Sequence, residues 1–296
     1  MNKNLPGVAL LAAVAFLSSC SNDEPTEGYD IFSVDCGNYI VPDNGGGQPY
    51  AESASYYFDF KYHNSTVDMV CSRKNASVTK EIFKISNVKY SQKDYADGNI
   101  RSFSVESEIS ISDPSSDIVS HIVADVSSIF SFNPVTDVIL DRVVIPSVTF
   151  RMGDSSVSSF SKSPYFGGIT VTEYEKNGEL KTFSNNQLVY SLFLDLETSK
   201  ASAVYYNARF AQEMPRPITV GLSNLDITYE KEGYVVSGEN VVPLMKEGGA
   251  DTPMPVFVFN SFMLKTSGDN LRTAEVVYEV AGKYKGTANV SELIFR

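Results

Sequence analysis

Ile85-Ser86-Asn87-Val88-Lys89-Tyr90 and Leu222-Ser223-Asn224-Leu225-Asp226-Ile227 lie about 137 residues apart and share one irregularity. In the first stretch the apolar alternation through Phe83 and Ile85 changes phase to Val88 and Tyr90. In the second, Val220 and Leu222 give way to Leu225, Ile227 and Tyr229. Side chains of a strand alternate between its faces with a period of two. A phase change at the same Ser-Asn pair therefore marks one inserted residue, a β-bulge, which turns every later side chain to the other face. Each stretch follows a strand beginning at Ser65-Thr66-Val67 or Ser202-Ala203-Val204, and each precedes a turn at Gly98 or Gly233. The pattern predicts a tandem duplication: two antiparallel β domains, each a sandwich or an open barrel, with the bulge bending a long strand round a corner.

The surrounding sequence agrees. Residues 56–62, 66–72, 101–111, 137–150, 169–174, 188–196, 202–210, 234–244, 256–264, 274–280 and 290–295 alternate apolar and polar positions and are rich in Val, Ile, Thr, Tyr and Phe. Gly- and Asn-containing turns such as Asp97-Gly98-Asn99 and Asn177-Gly178 separate them. The fold class is thus mainly β, with domains over 31–160 and 161–296. One segment departs from the pattern. After Asp113-Pro114, the residues Ile118, Val119, Ile122, Val123, Val126, Ile129 and Phe130 recur at three and four, which predicts a short helix near 114–130 with Asp113 as N-cap.

The N-terminus carries an address. Lys3 precedes an apolar run over 8–17, about half the roughly 20 residues that a membrane helix needs. Small residues then lead to Leu17-Ser18-Ser19-Cys20, the layout of a secretory signal over 1–19. The tetrapeptide resembles the lipobox of bacterial lipoproteins, whose cysteine is acylated and becomes the first residue. That resemblance implies that Cys20 is the lipid anchor and that 20–30 is a tether. Ser21-Asn22-Asp23-Glu24 resembles the acidic export signal of Bacteroidota lipoproteins displayed on the cell surface. It implies the outer face of the outer membrane, with the periplasmic face as the alternative. Each buried CH₂ of an acyl chain adds about 0.8 kcal/mol, so several chains anchor without basic residues.

Removal of 1–19 leaves 23 basic and 36 acidic side chains, a net charge of −13. Nucleic acid and anionic headgroups are bound through basic surfaces, so the composition argues against both as partners. With Cys20 committed to lipid, Cys36 and Cys71 remain, either bridged as a disulfide or separately buried; they lack a CxxC zinc spacing.

No catalytic constellation emerges. His63 and His121 are far apart and match no metal-ligand or triad spacing. Asp195 with Glu197, Asp137 with Asp141, and Asp94 with Asp97 are candidate carboxylate pairs, but the chain has no Trp to line a sugar cleft. Asp94 to Asn99 and Asp43-Asn44 read as turns rather than calcium loops. Gly45-Gly46-Gly47 and Gly167-Gly168 lack the Lys-Ser/Thr of a phosphate loop. Neither a cofactor nor a metal is expected. The pairs Tyr56-Tyr57 and Tyr205-Tyr206 place neighbouring rings on opposite faces, so one of each pair is a candidate ligand contact.

These features predict a lipid-anchored, non-enzymatic binding or adhesion module with a glycan or an envelope protein as partner. The alternatives are a barrel that carries small apolar ligands, a fimbrillin-like structural subunit, and a carboxylate-dependent hydrolase.

Overall fold

A computed structural model describes residues 29–43, 47–75, 78–108, 111–112, 118–135, 138–230, 232–247, 250–267 and 271–293. The signal over 1–19, Cys20, the tether up to residue 28, Asp113-Pro114 and Asp137 lie outside the described residues. The first half contains β1 (Asp30–Pro42), β2 (Tyr50–Tyr62), β3 (Thr66–Asn75), β4 (Val78–Lys89), β5 (Ser91–Tyr95), β6 (Gly98–Ser107), β7 (Ile111–Ser112), β8 (Ile118–Ile129), β9 (Phe132–Val135), β10 (Val138–Leu140), β11 (Val143–Met152) and β12 (Ser155–Ser161). The second contains β13 (Tyr165–Lys176), β14 (Glu179–Asp195), β15 (Lys200–Ala208), β16 (Ile218–Glu230), β17 (Gly233–Val241), β18 (Leu244–Glu247), β19 (Ala250–Pro253), β20 (Phe259–Ser267), β21 (Thr273–Val280) and β22 (Tyr284–Glu292).

Both halves are antiparallel barrels of eight walls in up-and-down order. The second runs β15-β14-β13-β22-β21-β20-β17-β16 and closes by pairing β16 with β15. The first runs β4-β3-β2-β1-β12-β11-β8-β6-β5, and Tyr90 alone separates β4 from β5, so the order returns to its start through one continuous run. The expected β domains are present, and the second closes fully where an open barrel or a sandwich was the expectation. Pairing β16 with β15 covers the long end strands of the second barrel, which reduces the aggregation hazard of a long β-strand; in the first barrel β4 is bonded to β3 alone.

The bulges sit where the phase changes place them. Val67 pairs with Val88 and Met69 with Ile85, so β4 spends one residue more than β3 between those pairs. Ala201 pairs with Leu225 and Ala203 with Leu222, the same offset in β16. Asn87 and Asn224 hold φ of 62° and 59°, the left-handed region that Asn tolerates best after Gly.

The interiors are filled. In the second barrel Tyr205 stands edge-on to Tyr190 at 4.4 Å and near Phe259, Phe262 and Tyr278. Tyr190 and Tyr278 set their hydroxyls 2.8 Å from Thr170 and 2.9 Å from Thr172, so their polar tips are satisfied inside an apolar core. Gly286 makes room for the Tyr278 ring, since a Cβ there would lie 2.0 Å from it. The first barrel packs Phe58, Phe60, Tyr62, Phe83 and Phe103 in the same way, with Tyr62 donating to Ser128 at 2.8 Å. Outward positions on β22, Lys285, Thr287, Asn289 and Ser291, are polar and exposed.

The first barrel supplies the floor of the second. Tyr39 on β1 and Phe160 on β12 point away from their own core and join that of the second barrel, with Phe160 5.3 Å from Tyr234. Gly37 lets Leu196 approach, because a Cβ there would lie 2.4 Å from its Cδ1. Beside this seam Arg272 donates to Asp125 of β8 through Nη1 at 3.2 Å and to the Asp125 carbonyl through Nη2 at 2.6 Å. Its Nε lies 3.6 Å from Glu292, which is 7% exposed.

One expectation is corrected, and one open alternative is decided. Residues 118–129 form strand β8 and no helix. His121 has φ of 49°, and the pairing with β11 slips between Thr149 and Arg151, so Val119 and Ile122 face inward three residues apart before Ile122, Ala124 and Val126 alternate. A bulge within a strand thus imitates a helical period. Cys36 and Cys71 are unbridged, buried thiols. Cys36 pairs with Tyr56 and Cys71 with Phe58, both on β2, so one strand runs between them. Two strand spacings put the Cα atoms roughly 10 Å apart, beyond the roughly 7 Å that a disulfide spans. Burial pushes both thiols well above their ordinary range.

Burial raises the Glu292 carboxyl to about 7, and nearby Arg272 opposes the shift in part. The folded protein therefore holds a proton that the unfolded chain releases near 4.5, and stability falls as pH rises from about 4.5 through about 7. Glu292→Gln should remove a pH-dependent component of about 3 kcal/mol. The difference in unfolding free energy between the two proteins at pH 5 and pH 8 measures it, and parallel pH profiles would refute the assignment.

Candidate functional site

The bulge that closes the second barrel also opens a groove on its outer wall. β16 and β17 are paired from Asp226–Ser237 to Glu230–Gly233. Beyond Ser237 the two strands part. Gly238, Glu239 and Val241 pair with β20 on the other side, while Val220 and Gly221 take β18 as their neighbour. Leu225 fills the base of the split against Gly238, where a Cβ would lie 2.6 Å from its Cδ2. The result is a cleft of about 820 Å³ lined by Lys200, Ser223, Asn224, Asp226, Ser237, Glu239, Asn240 and Ser261, with Val241, Val242, Phe262 and Met263 among them.

A second cleft of about 540 Å³ continues past Lys200 and Asn224 to Lys162, Phe193 and Asp195. Lys200 Nζ donates to Asp226 Oδ1 at 2.5 Å across the boundary. Both groups are well exposed, so water screens the pair and its net contribution to stability is small. The first barrel has a smaller cleft of about 430 Å³ at the corresponding place, lined by Lys89, Ser91, Ser102, Phe103, Ser104 and Asp125. Hydroxyl, amide and carboxylate groups dominate the 820 Å³ cleft, which suits hydrogen bonding to a polar surface.

The tyrosine pairs divide as alternation requires, but only in part toward solvent. Tyr56 and Tyr205 are each 0% exposed and belong to the two cores, so neither meets an external ligand. Tyr56 donates to Glu52 at 2.9 Å. Tyr206 faces outward yet packs with Tyr165, Leu293, Ile129 and Ile145 at the junction of the barrels. Tyr57 remains on the outer wall, with Lys74 Nζ 5.6 Å above its ring.

Of the candidate carboxylates, Asp195 holds its own turn. Asp195 accepts from Thr198 Oγ1 at 2.6 Å, Glu197 N at 3.1 Å and Thr198 N at 3.3 Å. The hydroxyl of Thr198 and then its amide hold the acid below the usual carboxylate range, in a self-bonded turn. Asp94 accepts from Gln92 at 2.8 Å, Asp141 is exposed, and its candidate partner Asp137 lies outside the described residues. His63 stands 3.6 Å from Asp68, and His121 lies 2.5 Å from Glu108 on the surface. Among the described residues no three His, Cys, Asp or Glu side chains converge as a metal site. The groove residues Ser237, Glu239, Asn240 and Ser261 are unmarked in the sequence; the Ser-Asn phase change at its edge is their one signal.

Fold and site together define a chain of two filled β-barrels with polar outer grooves. No family model and no curated protein matches its sequence. Among solved structures it resembles isotype 1 transferrin binding protein B from serogroup B Neisseria meningitidis, with 8% identity, 89% of this chain and 77% of that chain covered, and a TM-score of 0.27. A double mutant of transferrin binding protein B from Haemophilus parasuis Hp5 gives 6% identity, 90% and 77% coverage, and a TM-score of 0.26.

Asn224 sits at the lip of both clefts in the second barrel with φ of 59°. Asn224→Val should lower unfolding stability by about 1–3 kcal/mol, because a β-branched residue is strained there, while Asn224→Gly should stay within about 1 kcal/mol of the parent. Denaturant titration of both variants checks this, and equal costs for Val and Gly would contradict it.

Proposed function

We propose that this protein is a lipid-anchored component of the cell envelope that acts as a non-enzymatic binding or adhesion module. In this reading Cys20 carries the acyl chains, and the barrels stand outside the outer membrane; the periplasmic face of that membrane is the alternative site. The partner is a protein or a glycan surface met by the outer groove of the second barrel. The observation that carries this reading is the contrast between interior and wall: aromatic side chains fill the barrels, while the split between β16 and β17 presents Asp226, Ser237, Glu239, Asn240 and Ser261 to solvent.

The filled cores count against a carrier of small apolar ligands, which needs an empty interior of several hundred Å³. β1 is bonded to both β2 and β12, and β13 to both β14 and β22, so neither first strand is offered for exchange in the manner of a fimbrillin-like subunit. Asp195 is committed to its own turn, which counts against its use by a hydrolase. We also infer that 31–160 and 161–296 arose by duplication of one barrel, supported by the shared wall order and by the bulge on the fourth wall of each.

Two experiments test the proposal. Metabolic labelling with palmitate should mark the full-length protein, and Cys20→Ala should abolish both the label and its sedimentation with membranes; a labelled Cys20→Ala protein would overturn the anchor. A screen of the mature chain against glycans and envelope proteins should return a partner whose affinity falls about tenfold or more in Asp226→Arg with Ser261→Trp, as expected for a charge and a bulky ring placed in a contact surface. Undiminished binding by that variant would move the site elsewhere.

A further inference from the structure

The two barrels treat the same seam differently. In the second, the upper part of β16 has β15 on one side and β18 on the other, so a short antiparallel strand takes its outer edge at Val220 and Gly221. In the first, β4 is bonded to β3, while β6 turns to β5 and β8. Among the described residues no strand occupies the outer edge of β4 over 81–86. The chain itself therefore shows what the equivalent edge accepts: an antiparallel strand of a few residues.

β4 restricts which strand fits. Its pairing with β3 slips between Cys71 and Ser72, and the irregularity leaves Ile82 and Phe83 both packed into the first core. Thr79, Glu81, Lys84 and Ser86 are exposed on the outer face. A partner strand must match these faces residue by residue, because directly opposed side chains of an antiparallel pair lie on the same face. If the partner is a second β4, Ile82 opposite Phe83 matches inward with inward, Glu81 opposite Lys84 matches outward with outward, and Thr79 opposite Ser86 does the same. A shift by one or two residues in either direction sets an inward side chain against an outward one near the centre. The face-matched register also sets opposite charges against each other twice, since the two-fold axis repeats each pair. Lys84 is free enough to make the contact: its nearest acid, Asp68, is 3.9 Å away and its side chain is 48% exposed. Asp68 already accepts from the Asn87 amide at 2.9 Å.

We propose that the edge of β4 is a homodimerisation site, at which two copies pair antiparallel about a two-fold axis between Ile82 and Phe83, with Glu81 of each copy against Lys84 of the other. The contact is small and its charge pairs are exposed, so association is weak in solution and favoured where chains are concentrated on one surface.

The test uses the full chain in detergent micelles, read by sedimentation velocity over a concentration series and by carbodiimide cross-linking with peptide mapping. The expected result is a monomer–dimer equilibrium and a cross-link between the peptides that contain Glu81 and Lys84. Glu81→Lys alone and Lys84→Glu alone each place like charges opposite one another and should weaken dimerisation about tenfold or more. An equimolar mixture of the two variants should recover it as a heterodimer, as should the double variant Glu81→Lys with Lys84→Glu. Both substitutions are at exposed positions, and circular dichroism confirms that the fold is kept. A wild type that stays monomeric at every concentration would overturn the proposal, and so would dimerisation that neither single variant weakens or that the mixture does not restore.

Discussion

One inserted residue on the fourth wall of each barrel governs most of this architecture. A barrel closes only if some strand serves two neighbours that run at different angles, and β16 does so by bonding β15 up to Asp226, across the bulge at Asn224, and β17 from Asp226 onward. The extra residue costs local backbone strain, held at a φ that Asn accepts, and in exchange the later side chains turn to face the core. Leu225 and Ile227 then meet the aromatic cluster around Tyr205, and Ser223 and Asp226 are left on the wall. Filling, closure and groove are consequences of the same slip in register.

The junction of the barrels follows a similar economy. β1 and β12 have two apolar faces because one lines their own barrel and the other closes the end of the next. Cys36, Asn38 and Ile40 alternate with Gly37, Tyr39 and Val41, and both sets are largely buried. Arg272 then ties the end of the second barrel to Asp125 on β8, beside the buried Glu292. A buried acid at such a seam is poorly solvated, which couples the stability of the junction to pH.

The parts of the fold that could be read from sequence are those where alternation is clean. Phe83 to Tyr90 and Val220 to Tyr229 announce strand, bulge and corner together, and their repetition announces the two units. β1 escapes detection because it is buried on both faces and carries Asp35, Gly37 and Asn38 among its apolar residues, so period two disappears. β12 escapes because Ser155-Ser156-Val157-Ser158-Ser159-Phe160-Ser161 is mostly serine, with Ser159 donating to Asn38 at 2.6 Å inside the barrel. β8 is misread as helix because a bulge at His121 converts a spacing of two into three. The groove is the least legible feature, since it depends on which strands part company, and that is decided by pairing between residues far apart in the chain. The tyrosine pairs show the limit of local reading: alternation correctly separates Tyr205 from Tyr206, yet the contact that covers Tyr206 comes from the other barrel.

The central claim is that β16 is bonded on both sides by virtue of the Asn224 bulge. Proton–proton NOE spectroscopy of the labelled protein tests it directly, through contacts between backbone protons of facing strands. The account predicts contacts from β16 to β15 at Leu225 and Ala201 and, from the same strand, to β17 at Ile227 and Val236. Contacts from β16 to only one of those strands would mean a sheet that never closes, and would contradict the account of both the barrel and its groove.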